Sequence, residues 1–519
     1  MDTAHEEWDE LVGAALLGTG RRRGGSPEAL LDAAAVRTVR RRAGLRPAEA
    51  APRPEPAAHD PRPEPPDAAR RRLARLLAGR TAAGGSGGRR GAAPDLTELL
   101  PQWLAAAGRH GYRAPAALVP ALLDAARART DLRPPALALA GARGLWLARL
   151  NPDWRFALRG GTGDTGGLPD AADREAVENL WEEGLFAERV ALLGTVRAHE
   201  PAAAIRLLAT TWATERAEDR LMFLDSLRVG LSPADEEFLE SALGDRSRNV
   251  RATAAELLSA LTGSALAGRM AERALACVGP EGVEPPADCD AGMLRDGVVR
   301  RPPAGRGERA WWLGQLVEAA PLSCWRGRFG GLTPAEIVAL PVAEGWAEEL
   351  HAAWCRAAVR QRDPAWSKSL LGSASAPPAA GPGTASLAER AKLLSILPGG
   401  ERAEWVAEFV RAHGLSEAFQ LLGVCVVPWA GTLGRAVVDA LDTAREAGSY
   451  PWSFSGVMGL AERCLDPTEA GRLEALTAAS QDPPDASPGA AAYWAEAFQR
   501  LVATLRVRAA MLAELTPPG

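Results

Sequence analysis

Residues 173–200 read DREAVENLWEEGLFAERVALLGTVRAHE, residues 204–231 read AIRLLATTWATERAEDRLMFLDSLRVGL, and residues 235–262 read DEEFLESALGDRSRNVRATAAELLSALT. Set under one another so that position 177 meets 208 and 239, they agree in seven columns. Val177, Leu208 and Leu239 align, as do Ala176, Leu207 and Phe238, then Trp181, Trp212 and Leu243. Further along, Leu192 meets Phe223 and Ala254, Leu193 meets Leu224 and Ala255, and Val196 meets Leu227 and Leu258. Arg189, Arg220 and Arg251 keep the same spacing. Within each segment the apolar residues recur every three or four positions, the spacing of one helix face. Each unit therefore reads as a helix, a brief turn and a second helix. Self-similarity at this period marks units that bury their apolar faces only by stacking on one another, so an α-solenoid of HEAT-like helix pairs is expected over 170–278.

The rest of the chain extends this all-α expectation outward. An N-terminal helical segment is placed at 1–46, with Ser26 at an N-cap and Pro27 in the first turn. A Pro/Gly-rich linker carrying a short basic helix around Arg70 to Leu77 is placed at 47–94. Eight of the positions from Pro47 to Pro66 are proline, a composition that forms extended spacers. A helical block follows at 95–160, and a second linker at 279–308. A C-terminal helical region occupies 309–519, with helices over 334–340, 344–361, 387–397, 401–413, 416–427, 431–446, 453–465 and 488–515. VCVV (424–427) is the only β-like run, and no strand pair is expected.

At 519 residues and 47% hydrophobic content, the chain is long enough to bury a large core without metal or disulfide staples. The acidic start MDTAHEEWDE lacks the basic and apolar regions of a signal peptide. The longest uncharged apolar stretch, Ala418 to Gly434, falls short of a span of ~20 residues. Six cysteines without CxxC spacing suggest reduced thiols and a cytoplasmic protein. Only Lys368 and Lys392 break a basic complement of 58 arginines, a skew that reads as the codon usage of a GC-rich genome. Residues 21–110 hold 18 Arg against 9 acids, a net of +9 within a chain of net charge −5. That segment hints at an anionic partner, nucleic acid or an acidic protein, against the plainer reading of a solvated arginine-rich surface.

No motif in the chain carries chemistry. The glycine runs GGSGG (84–88) and GGTGDTGG (160–167) are not followed by the Lys-Ser or Lys-Thr of a phosphate cradle. GGSGG matches GxSxG only as a glycine run and does not sit between a strand and a helix as a nucleophile elbow would, and HExxH does not occur. His351 and Cys355 stand one helical turn apart, but zinc needs three or four ligands and no further pair suggests itself. Trp181, Trp212, Trp312, Trp405 and Trp494 occupy apolar helical positions and read as core filling rather than stacking platforms. No catalytic residue, cofactor or metal site is expected, although an enzyme site assembled between helical blocks stays open as a reading.

Two resemblances sharpen these expectations. DRSRNVRATAAELLSAL (245–261) resembles the start of a HEAT-type repeat, in which an Asp precedes a Val-Arg pair and then small residues. Asp245, Val250, Arg251, Ala254 and Ala255 match it, which implies close helix approach and an arginine reaching the neighbouring turn; units one and two lack the Val-Arg pair. More broadly, EEWDELVGAALLGTGRR, VRRRAGLRP, DLTELLPQWLAAAGRHGYRAP, LRPPALALAGARGLWLARLNPDWRFALRG and AAVRQRDPAWSKSLL are similar to a bacterial family, domain of unknown function 5691, common in actinobacteria. The resemblance covers nearly the whole chain and implies no activity. Members tend to be encoded beside a SWIM zinc-finger protein, a MoxR-type AAA ATPase and a von Willebrand A-domain protein. It thus implies a scaffold or adaptor in an ATPase-linked assembly, with nucleic-acid binding by 21–110 as the alternative.

Overall fold

The computed structural model describes residues 11–16, 26–43, 54–82, 96–159, 169, 171–342, 345–376, 386–478 and 489–516. The chain divides into two compact units, Met1–His59 and Asp60–Gly519. In the first, residues 11–16 form α1 and Pro27–Ala43 form α2. Ser26 caps α2 as its sequence suggests, its Oγ accepting the Ala29 N–H at 3.1 Å.

The second unit is helical almost throughout. It contains α3 (Asp67–Ala82), α4 (Leu96–Arg109), α5 (Val119–Ala128), α6 (Arg133–Leu150), α7 (Arg174–Glu183), α8 (Phe186–His199), α9 (Pro201–Thr211) and α10 (Ala217–Ser226). Next come α11 (Glu236–Ala242), α12 (Arg248–Ala260), α13 (Ala265–Cys277), α14 (Ala291–Arg295), α15 (Glu308–Ala319), α16 (Ser323–Arg328), α17 (Pro334–Val338) and α18 (Ala347–Gln361). The chain ends with α19 (Pro364–Leu371), α20 (Leu387–Ile396), α21 (Gly399–Leu422), α22 (Gly431–Glu446), α23 (Ser455–Cys464), α24 (Ala470–Ala478) and α25 (Ala490–Leu515). None of the described helices is long and apolar enough to cross a membrane.

The three repeated segments become α7/α8, α9/α10 and α11/α12. The second helices start at Phe186, Ala217 and Arg248, two equal steps along the chain that match the spacing of the sequence repeat. They pack in succession, α8 on α10 and α10 on α12. Apolar columns meet in a single core: Leu192, Leu193, Phe223, Leu224, Leu227, Ala254 and Leu258 are all buried there, as are Trp181 and Leu243. Burying each large side chain contributes about 1.5–3 kcal/mol. The repeated arginines reach turns, two of them in the next unit and Arg251 in its own. Arg189 pairs with Glu215 of the next unit and covers Trp181 at 4.4 Å. Arg220 pairs with Asp245 of the next unit at 3.0 Å and covers Trp212 at 5.7 Å. Arg251 donates to the carbonyls of Asp245 and Arg246.

Between these helices lies a charge sealed from water. Arg197, at the end of α8, forms a salt bridge with Asp235 at 2.6 Å, with side-chain exposures of 2% and 0%. Its guanidinium also donates to the carbonyls of Leu227, Val229 and Gly230, which follow α10. Nothing short of the five-donor fork of arginine serves three carbonyls and a carboxylate at once.

A second core gathers α3, α4, α5, α6 and the 3₁₀ turn Pro152–Arg159. Of the linker expected over 47–94, residues 47–53 and 83–94 lie outside the described residues, and the short basic helix expected within it, α3, is packed rather than free. Ala69, Leu73, Leu76 and Leu77 of α3 are buried, at helical one-face spacing. The proline-rich strand leading into it is fixed by the Arg113 N–H on the Pro63 carbonyl (2.9 Å) and by Arg62 on the Ala138 carbonyl (2.7 Å). Prolines lack an N–H to satisfy, so such a strand packs without pairing on both sides. Gly141 breaks α6 at φ 55°, and a Cβ there would collide with Arg62 Nη2. Any other residue would lose both the backbone conformation and the arginine's seat.

The linker expected over 279–308 is likewise packed: Cys289, Met293 and Val298 lie in the first core. Among the described residues a two-stranded ladder, Val278–Gly279 against Gly282–Val283, contradicts the expectation of no strand pair. It is too short for an alternating pattern to reveal it. VCVV does not become a strand; α21 ends at Leu422, and Gly414, at φ 80°, interrupts it where two helices were expected. α19 and α24 have no counterpart among the expected helices. Both follow Asp-Pro pairs, Asp363-Pro364 and Asp466-Pro467, whose carboxylates cap the chain just downstream.

The last helix belongs to both cores. Trp494, Phe498, Leu501 and Leu505 lie in the first, and Met511 and Leu515 in the second. Arg72 of α3 meets Glu514 in a two-pronged bridge at 2.6 Å, and the Tyr112 hydroxyl donates to the Leu515 carbonyl at 2.9 Å.

Arg197→Lys tests whether arginine is required at the sealed site. One ammonium cannot serve the carbonyls of 227, 229 and 230 together with Asp235, so unfolding free energy should fall by about 2–4 kcal/mol in guanidinium denaturation. A loss below about 0.5 kcal/mol would show the fork to be dispensable.

Candidate functional site

Where the third repeated unit meets α15, α18 and α20, the surface folds inward to form a cavity of about 460 Å³. Each helix presents one face to it. Glu256, Leu257 and Ala260 come from α12, Glu318 from α15, Cys355, Arg356, Val359 and Arg360 from α18, and Glu389, Lys392 and Leu393 from α20. Arg228 and Leu231, in the turns after α10, complete it. Spacings of three and four residues put each set on one face of its helix. The floor is apolar: Leu257, Cys355 and Leu393 are buried, and Leu231 and Val359 are partly buried against the same core.

Charged walls surround that floor. Arg228 grips Glu256 with two hydrogen bonds, at 2.8 and 3.0 Å, and Asp225 with a third at 2.7 Å. Arg228 holds the Glu256 carboxyl below its usual range, and Arg360 adds to that pull. Glu318 is shared, receiving Arg356 at 2.5 Å and Arg360 as well. Glu389 closes a capping box at the start of α20, accepting from the Ser386 N–H and hydroxyl at 3.2 and 3.1 Å. Lys392 stands exposed, and among the described residues no acid lies within salt-bridge distance of it.

The pair His351 and Cys355 separates in the fold. His351 Nε2 sits 3.2 Å from the Val338 carbonyl and its ring lies against Trp354, while Cys355 joins the cavity floor. Burial lowers the His351 pKa and pushes the Cys355 thiol up to about 12, with the Glu389 charge adding to the latter. Among the described residues no group of three or more His, Cys, Asp or Glu could hold a metal ion. Trp181, Trp312 and Trp494 are buried and Trp212 and Trp405 partly so, as core filling requires. The runs 84–88 and 160–167 lie outside the described residues. Of the basic segment 21–110, Arg62 pairs with Asp60, Arg70 with Glu64 and Asp67, and Arg72 with Glu514. Sequence inspection does not assemble this cavity. Its residues come from five separate stretches, and nothing local marks them as neighbours.

A model of the family of unknown function DUF5691 matches residues 10–515. The chain belongs to that family. No curated protein and no solved structure matches this family member.

The six cysteines are thiols rather than disulfides. Burial pushes Cys324 up to about 11 and Cys425 up to about 12, alongside Cys355. The thiolate is the reactive form, so iodoacetamide at pH 8 should modify these three at least about tenfold more slowly in the native protein than after unfolding in guanidinium chloride. Mass spectrometry of the tryptic peptides reads each site. Native alkylation of Cys355 at the unfolded rate would show the cavity floor open to solvent.

Proposed function

We propose that this family member is a non-enzymatic helical scaffold whose 170–278 stretch is a HEAT-like solenoid and whose cavity between α12, α15, α18 and α20 receives a protein partner. The observation that carries this reading is the cavity's make-up. An apolar floor ringed by carboxylates and guanidiniums already engaged with one another suits docking of an apolar anchor. Catalysis asks instead for a base, acid or nucleophile held ready and unspent. Succession of α8, α10 and α12 at a constant step along the chain supports the solenoid, since such stacks present extended surfaces to partners. Six reduced thiols fit a reducing compartment and hence the cytoplasm.

The partners implied by the family resemblance are a MoxR-type AAA ATPase, a SWIM zinc-finger protein and a von Willebrand A-domain protein. They are the ones to purify first. Ala260 lines the cavity and is only half-buried, so Ala260→Trp fills the space with little disturbance to the core. Calorimetric titration of each purified partner should show binding to the wild type and at least about tenfold weaker binding to Ala260→Trp at an unchanged melting temperature. Equal affinity for both would remove the cavity from the interface. Retention of nucleic acid through residues 21–110 at ~150 mM salt, with no protein bound, would replace the scaffold reading by the nucleic-acid one.

A further inference from the structure

We infer that the occupant of the cavity is a short acidic–apolar segment of a partner protein, its large apolar side chain seated over Leu257, Val359 and Leu393 and its carboxylate meeting Lys392. The inference rests on the docking reading above and adds the chemistry of what docks.

Charge bookkeeping around the rim selects the occupant. Four cations, Arg228, Arg356, Arg360 and Lys392, face three acids, Glu256, Glu318 and Glu389. Both oxygens of Glu256 are taken by Arg228, which also holds Asp225; Glu318 is divided between Arg356 and Arg360; and Glu389 keeps its charge while one of its oxygens caps α20 through Ser386. What remains is one exposed ammonium beside an apolar floor. A basic segment would bring a second cation to Lys392, the lining cation that has no acid within salt-bridge distance among the described residues. A nucleic-acid backbone would bring a row of phosphates against three carboxylates. A single carboxylate next to an apolar anchor matches both the sign and the number.

The identity of the cation supports this. Elsewhere in the second unit, arginines bind carbonyls and carboxylates inside the fold, and the chain has only two lysines. Lys368 is paired with Glu401 at 2.7 Å. Lys392 has no such structural partner among the described residues. A compact, well-hydrated ammonium on a flexible stem suits a contact made and broken with a ligand.

The test pans the full-length chain against a phage-displayed library of random dodecamer peptides and measures synthetic copies by fluorescence anisotropy. Peptides that bind wild type but not Ala260→Trp should share Leu or an aromatic residue within three positions of Asp or Glu. For these, Lys392→Glu should raise Kd at least about tenfold and Lys368→Glu should leave it unchanged. Replacing the peptide's acid by its amide should weaken binding to the wild type and not to Lys392→Glu, the signature of one direct pair. Carbodiimide coupling should join that peptide carboxylate to Lys392 in preference to Lys368. Cavity-dependent peptides that lack an acid, or that bind Lys392→Glu as well as wild type, would overturn the acidic–apolar assignment while leaving the docking reading in place. Failure to recover any Ala260→Trp-sensitive peptide would overturn both.

Discussion

Short helices leave many backbone carbonyls away from water, and in this protein arginine side chains answer them. Four carbonyls stay open at the end of each helix and are costly when buried without a donor. Arg402 donates to the carbonyls of Ser395, Leu397 and Val424, tying together the ends of α20 and α21. Arg508 reaches from α25 to Leu465, and Arg309 and Arg328 pin the loops around the small hairpin through Pro285, Pro286 and Val278. Arg197 does the same in the repeat region, with Asp235 balancing its charge. The arginine excess therefore has a structural use beyond codon choice.

A second constraint is the closure made by α25. Because its first part lies in one core and its last turn in the other, residues from the two ends of the second unit fold against each other. Arg463 of α23 approaches Glu98 of α4 at 3.4 Å, and Arg72 grips Glu514. Such contacts, far apart in sequence, hold the helices that follow the repeats in a fixed relation. α18 and α20 are set opposite α12 by direct packing, α15 lying against α12, α13 and α18, and α18 against α20, and the candidate cavity lies where they face one another.

How much of this was legible beforehand varied with the range of the interactions. The repeat register, the Ser26 cap, the break near Gly414 and the role of the tryptophans follow from spacings no longer than one helix pair, and sequence displays such spacings directly. The two intervals read as linkers show where that reading fails. Proline and glycine content describes what a segment cannot do locally, yet Arg113 and Arg62 fix one such strand from afar and Cys289, Met293 and Val298 bury the other. Composition carries no information about a donor that arrives from another element.

Sequence alone determined that this chain is helical, that helix pairs recur at a constant step between 173 and 262, and that it belongs with a family of unknown function. Those are properties of local spacing, set by the pitch of the α-helix and by which side chains avoid water. Only the tertiary structure decided which arginines would be buried, which linkers would become core, and that Lys392 would be the unspent charge beside an apolar floor. Burial and pairing are joint properties of elements brought together by the whole fold, and no single stretch of residues encodes them.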